Sequence, residues 1–425
     1  MNSATIPVSN RPAIPAPRRS RRPRGFVPGI LAASAIATTA CSESAPANDW
    51  TVVRDTLPSG VVQVTNTPPP QTAPIWTLVE EIRVGTVEAG LAESFGEIKG
   101  LVGLAGGGFA VLESQSLEIR VFAPDGSHVA THGQRGEGPG EFVGANGLML
   151  DPSGRIWVPD SYAARMSVFD PEGGFVESFP FTSFVRGWVW TGAMTADGRI
   201  LKHSSNTMRV FDSTMTELPS LTLPPAAEDV GDEDPSIFLV ESDGGWRVRQ
   251  VPFYPGGATA FDPSGAMWSA AFGDPAHRVR KWMPGGDTLL VVETQRPPLP
   301  VTGAERDSAV AEVRAWLREQ GVETEEDWSR IPGVKPAVLG LVTSAEGNLW
   351  VRTSSAGGGI TYDVLAPDGA YLGSTAPAAL ETLFWLRPVI RGDYYWTVVF
   401  DELDVPYVVR AKITPVETAS NHENP

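Results

Sequence analysis

From residue 76 onward short apolar runs alternate with polar turns that carry glycine. Four segments line up: LDPSGRIWVPD (150–160), MTADGRILKHS (194–204), FDPSGAMWSAA (261–271) and TSAEGNLWVRT (343–353). Each joins an apolar stretch to an apolar strand through a turn ending in glycine, the residue that accepts the positive φ of a tight hairpin. LAGGGFAVLES (104–114) and VIRGDYYWTVV (389–399) are weaker copies. A second strand–turn–strand pattern follows each of the first five: VFAPDGSHV (121–129), VFDPEGGFV (168–176), VFDSTMTEL (210–218), KWMPGGDTLLV (281–291) and VLAPDGAYL (364–372). The repeating unit therefore holds four strands.

The turn glycines stand at 154, 198, 265, 347 and 392, at intervals of 44, 67, 82 and 45 residues. The short intervals match one four-stranded blade, about 40 to 50 residues. The long ones contain insertions. Counted from the weak first copy, six units predict an all-β chain: a six-bladed β-propeller over 76–415, whose ring leaves only short sheet edges. WTLVEEIRVG (76–85) is expected to complete the last blade beside 396–415. In the insertion at 219–255, IFLVE and WRVRQV predict a hairpin around Ser-Asp-Gly-Gly. The insertion at 302–335 reads as a helix. Thr302 and Glu305 form a capping box, Gly321 is the stop, and Ala309, Val310, Val313, Trp316 and Leu317 form one apolar stripe. Such a stripe must cover something: the central channel or the rim.

Between the first two blades lies GQRGEGPGEF (133–142). A dinucleotide cradle would place a helix after its glycines, but a strand pattern follows, so the stretch is read as a blade-to-blade link. With the segment after it, it resembles an NHL-type repeat of the six-bladed class. Gly133, Gly136, Gly140, Phe142, Gly154, Trp157, Val158, Asp160, Arg165, Val168 and Phe169 carry the match. The resemblance spans roughly residues 76 to 415, strongest in blade two and weakest in blades three and six. It implies that Arg165 ties neighbouring strands together. Trp157, Trp268 and Trp350 occupy equivalent positions and are expected in the core.

The first forty residues read as a secretory signal. RRSRRPRGF precedes the apolar VPGILAASAIATTAC, a run shorter than the roughly 20 residues that span a bilayer. It ends Thr38-Thr39-Ala40-Cys41, with the one cysteine of the chain. This resembles a bacterial lipobox, although Thr38 stands where that family prefers leucine. The resemblance implies that Cys41 becomes N-terminal and carries a diacylglycerol and an N-acyl chain. One chain alone binds marginally, at about 0.8 kcal/mol per methylene; several anchor stably. Ser42 after the cysteine leans the destination toward the outer membrane. Residues 41–75 read as a tether containing a short hairpin (WTVVRDTLPSGVVQV) and a proline-rich linker, and 416–425 as a polar tail. A single cysteine allows no intrachain disulfide.

Charge narrows the function. The chain has 33 basic and 50 acidic residues, a net −17. Without the six arginines before position 41, 27 bases face 50 acids, a net −23. Such a surface repels phosphate backbones, so no nucleic-acid partner is expected. EDVGDED (228–234) could offer oxygens to calcium, but its spacing fits no calcium loop and it is read as a solvated charge run.

Propellers bind ligands at the axial funnel, on the face that carries the blade links and the second-to-third strand loops. The candidate binding residues there are Arg135, Asp160, Tyr162, Arg165, His203, His277, Arg278 and Arg352, with Asn206 and Glu141 beside them. The histidines are His128, His132, His203, His277 and His422, and none has the spacing of a metal pair. Zinc needs three or four convergent ligands, and only His203 and His277 share a face. No Gly-x-Ser-x-Gly elbow is present. Catalytic residues are therefore unassigned, and no cofactor or metal is expected. The reading is a monomeric, lipid-anchored binding module of the bacterial envelope, taking a small molecule or an envelope protein. The alternative is a metal-dependent hydrolase or lyase, lactonase-like, with carboxylates gathered in the funnel from several blades.

Overall fold

The computed structural model describes residues 50–68, 73–86, 90–181, 188–204, 207–222, 234–242, 245–283, 288–322, 326–355, 359–380 and 386–416. The signal, Cys41, most of the acidic run and the polar tail lie outside these. Six blades, each built on four antiparallel strands, make up the ring. Blade one holds Ile98–Gly103, Phe109–Glu113, Glu118–Phe122 and His128–His132. Blade two holds Met149–Leu150, Ile156–Asp160, Arg165–Asp170 and Gly174–Pro180. Blade three holds Ala193–Met194, Ile200–Ser204, Thr207–Phe211 and Glu217–Thr222. Blade four holds Ala258–Phe261, Met267–Ala270, Arg278–Trp282 and Thr288–Thr294. Blade five holds Gly340–Thr343, Leu349–Thr353, Thr361–Leu365 and Tyr371–Ser374. Blade six takes Val389–Arg391, Tyr394–Phe400 and Pro406–Pro415 from the end of the chain.

The missing strand of blade six comes from the start of the chain. Before blade one the chain forms β1 (Thr51–Thr56), β2 (Val62–Thr67) and β3 (Trp76–Val84). β3 lies antiparallel on Pro406–Pro415, from Val84 opposite Val408 to Trp76 opposite Pro415. The ring is thus a six-bladed β-propeller closed by hydrogen bonds between its two ends. Six apolar clusters sit between consecutive blades, one at each junction. Trp157, Trp268 and Trp350, and Trp396 in blade six, are buried in the second strands, as their spacing predicts.

The turns follow local chemistry. Gly154 has φ +87°, and Gly198, Gly265, Gly347 and Gly392 also have positive φ. The Asp151 carboxylate accepts from the backbone N–H groups of Ser153 (2.8 Å) and Arg155 (3.0 Å) and from the Trp157 indole (3.0 Å). One aspartate therefore fixes the turn and ties it to the core tryptophan.

The N-terminal hairpin departs from the sequence reading, which leaves it in the tether. β2 pairs in parallel with the outer strand of blade four, Val62 opposite Leu290 and Asn66 opposite Thr294, and β1 lies outside it. Blade four becomes six strands wide. Buried Asn66 donates to the Gly369 carbonyl (2.9 Å) and accepts from the Tyr371 N–H (3.0 Å), both on blade five. Arg54 pairs with Asp368 at 2.7 Å, and Trp50 packs edge-on against Tyr371. An outer strand has an unpaired edge; β2 satisfies it and joins two blades.

The two insertions share one core. Strands Ile237–Ser242 and Gly245–Gln250 form the expected hairpin. Helix α1 (Gly303–Glu319) begins at Thr302 with the capping box to Glu305 in place. Ala309, Val313 and Leu317 form its buried face. Val313 and Leu317 pack with Phe238, Val240, Val251, Val322 and Ile331. Arg330 donates to the Asp234 carbonyl (2.7 Å) and stacks on Phe238. The helix therefore covers the other insertion. Among the described residues, no helix is long and apolar enough to cross a membrane.

Candidate functional site

Two cavities stand out. The first, about 220 Å³, lies on the propeller axis, and every blade contributes wall residues from its inner strand or the segment leading into it. They include Leu101, Leu148, Ala193, Phe261, Val342 and Val389. Two wall residues are charged, Lys99 and Arg387, and none is acidic. Lys99 pairs with Glu97 at 3.1 Å. Arg387 is exposed in the wall, and desolvation by the protein around it lowers the pKa of its guanidinium below the ordinary value. Behind the wall, Lys202 is 6% exposed. Its ammonium bonds Thr191 Oγ1 at 3.1 Å and lies 4.5 Å from the centre of the Trp190 ring; both residues face the cavity. Burial lowers the Lys202 pKa as well.

The second cavity, about 900 Å³, is a cleft between the insertion core and blade five. One wall is the end of the insertion hairpin and the segment after it, including Arg249, Phe253 and Tyr254. Helix α1 adds Glu312 and Trp316, and blade five adds Thr353 and Ser354 from the end of its second strand and the loop that follows. Phe253 has φ +59°, uncommon for a bulky side chain. Arg249 lies over the Trp316 ring at 5.9 Å. Next to the cleft, the other face of the hairpin exposes Leu239, Trp246 and Val248, with Trp246 62% exposed. Leu239 lies opposite Val248, which also lines the cleft.

None of the eight residues singled out by sequence lines either cavity. Asp160 is fully buried and accepts from the N–H groups of Val143, Gly144, Tyr162 and Ala163. Arg165 donates to the carbonyls of Glu137 (2.9 Å) and Glu141. Arg165 holds the link 133–142 against blade two, the tying role that the repeat implies for it, and Asp160 holds the two residues that follow the link. Arg135 is exposed and donates to the Gln115 carbonyl (3.1 Å). Tyr162 is exposed, and His203 sits exposed on the second strand of blade three. Arg278 pairs with Asp274 (2.8 Å) and Glu293 (3.3 Å). Arg352 lies on blade five opposite Gly340.

His277 is built into the seam between blades four and five. Its Nε2 lies 2.9 Å from Asp363 Oδ2. Asp363, 1% exposed, also meets Arg296 (2.6 Å) and the Tyr371 hydroxyl (3.3 Å). Among the described residues, no three His, Cys, Asp or Glu side chains form a group able to hold a metal.

No family model and no curated protein matches the chain. Solved structures resemble it at a distance. A Bacteroides fragilis protein provisionally described as exported is 12% identical over 83% of this chain and 99% of its own, with a TM-score of 0.43. Virginiamycin B lyase from Staphylococcus aureus is 10% identical over 80% of this chain and 100% of its own, at 0.39. A protein provisionally described as a gluconolactonase is 15% identical over 80% and 100%, at 0.37. Likenesses this remote carry no argument about ligand or reaction; the six blades rest on the sheet order of this chain.

Proposed function

We propose that the protein is a binding module of the bacterial envelope, anchored through Cys41, that receives an amphipathic segment of a protein partner in the cleft beside blade five. The supporting observation is the continuity of the cleft with the apolar face of Leu239, Trp246 and Val248. A pocket of about 300 to 1,000 Å³ suits a small ligand, and an exposed apolar patch at its lip suits a protein surface. Arg249, Glu312 and Thr353 among Phe253, Tyr254 and Trp316 supply the few polar contacts that orient such a segment.

The sequence supports the anchor. Eight residues separate Cys41 from Trp50, a reach of at most about 30 Å for extended chain. A lipid on Cys41 would hold the β1–β2 side of the propeller near the membrane. The metal-dependent alternative needs carboxylates in the funnel, whereas the channel wall offers cations.

A photocrosslinking residue at position 246 in the native host tests the partner. The expected result is one heterologous adduct, lost when Val248→Asp or Trp316→Ala is added. No adduct, or an adduct between two copies of this chain, overturns the reading. Cys41→Ser should release the protein from the membrane fraction; unchanged fractionation overturns the anchor alone.

A further inference from the structure

We infer that the central channel is a binding site for a small anion, a carboxylate or an inorganic oxyanion, held by Arg387 and supported by Lys202. The inference concerns the axial cavity and stands independently of the cleft.

The sign of the charge is the first argument. The chain carries 50 acids against 33 bases, yet the charged wall residues of the channel are Lys99 and Arg387 alone. The inner strand of each blade has a sheet neighbour on one side only. Its free edge presents both N–H and C=O groups, so the backbone does not select a charge; the side chains do.

Missing neutralisation is the second. Arg83, Arg155 and Arg209 each meet a carboxylate. Arg387, exposed in the channel wall, has no hydrogen-bond or ion-pair partner among the described residues. A guanidinium does not escape this by losing its proton. Lys202 is deeply buried and finds a hydroxyl and an indole face but no carboxylate. For buried Lys202 an unpaired charge costs several kcal/mol unless a counter-ion or water offsets it. Arg387 stands in the channel wall, and Lys202 lies one layer behind it, against Thr191 and Trp190 of the same wall.

Size sets the ligand class. A volume near 220 Å³ is below the roughly 300 to 1,000 Å³ of pockets that take larger organic ligands. Phosphate, sulfate or a three- to four-carbon carboxylate fits; a nucleotide does not. A planar guanidinium suits the paired oxygens of either class.

The test titrates mature full-length protein with inorganic phosphate, sulfate and malonate in low-chloride buffer, by calorimetry and thermal shift. Saturable binding of at least one is expected, and the preferred probe separates an oxyanion site from a carboxylate site. Arg387→Gln should weaken binding at least tenfold, Arg387→Lys should restore part of it, and Lys202→Met should weaken it several-fold. Without added anion, Arg387→Gln should melt no lower than the unmodified protein, because it removes an unpaired charge; a purely structural arginine would give a lower Tm. Trp316→Ala should leave anion binding unchanged, which separates this site from the cleft. Absence of saturable binding by all three probes, or equal affinity in Arg387→Gln, overturns the inference.

Discussion

At the scale of single residues, the repeat is written in turn chemistry. Asp151 lies two positions before Ser153 and three before Gly154, and its carboxylate collects the donors that the turn leaves free. Burial pushes its pKa up, but the bonds from Ser153, Trp157 and Arg155 outweigh that and bring it from 3.8 to about 2. The folded value lies below the unfolded one, so the contribution is complete above about pH 5 and is lost as pH falls through the folded value. For this largely buried carboxylate it amounts to about 2 kcal/mol. Asp151→Asn should lose that much at pH 7 and about half as much at pH 3, read from urea midpoints at the two pH values. This role is legible in sequence because every partner lies within six residues. Asp160 shows the limit. Its place in the repeat is readable, but two of its four donors, Val143 and Gly144, come from the segment just after the link. A candidate for ligand contact is in fact spent on holding backbone.

At the scale of elements, the same pattern of apolar runs specifies strands without naming their neighbours. The β1–β2 hairpin reads as a hairpin from alternation and its Pro-Ser-Gly turn. Its parallel docking on blade four depends on an open edge more than two hundred residues away. Deleting residues 42–67 from the mature chain should expose that edge. The truncated protein should melt lower and associate, measured by thermal denaturation and size-exclusion chromatography, since bare strand edges pair with other chains. A monomer with unchanged Tm would show that the hairpin adds nothing to the blade. Helix α1 follows the same logic. The capping box and the apolar stripe are local and readable; the surface that the stripe meets, around Phe238 and Val240, belongs to another insertion.

At the scale of the whole molecule, closure is the decisive event. β3 joins blade six across the full sequence of the ring, and Arg410 fastens that blade to blade one. Its guanidinium donates to the carbonyls of Gly107 and Pro124 (both 2.7 Å), pairs with Glu81 (3.0 Å) and stacks on Tyr394. Arg410→Ala leaves the buried Gly107 carbonyl without this donor and Glu81 without its partner, and should cost about 2 kcal/mol, seen as a lower denaturant midpoint. Little change would mean that strand pairing alone closes the ring. Both cavities also belong to this scale. The channel takes its wall from six blades, and the cleft from two insertions and blade five. No sequence window contains enough of either to reveal it, which is why the readable loop residues miss them.

The sequence by itself determined the four-stranded unit, its count, the turn residues, the core tryptophans and the capped helix. Each depends on alternation or on donors and acceptors a few residues apart, and such interactions form wherever the chain goes. The tertiary structure alone decided that the first hairpin extends blade four, that two insertions share one core, and that Arg387 stands unpaired in the wall of the channel. Those outcomes depend on which surfaces become neighbours when the ring closes, and that proximity comes from the backbone path as a whole.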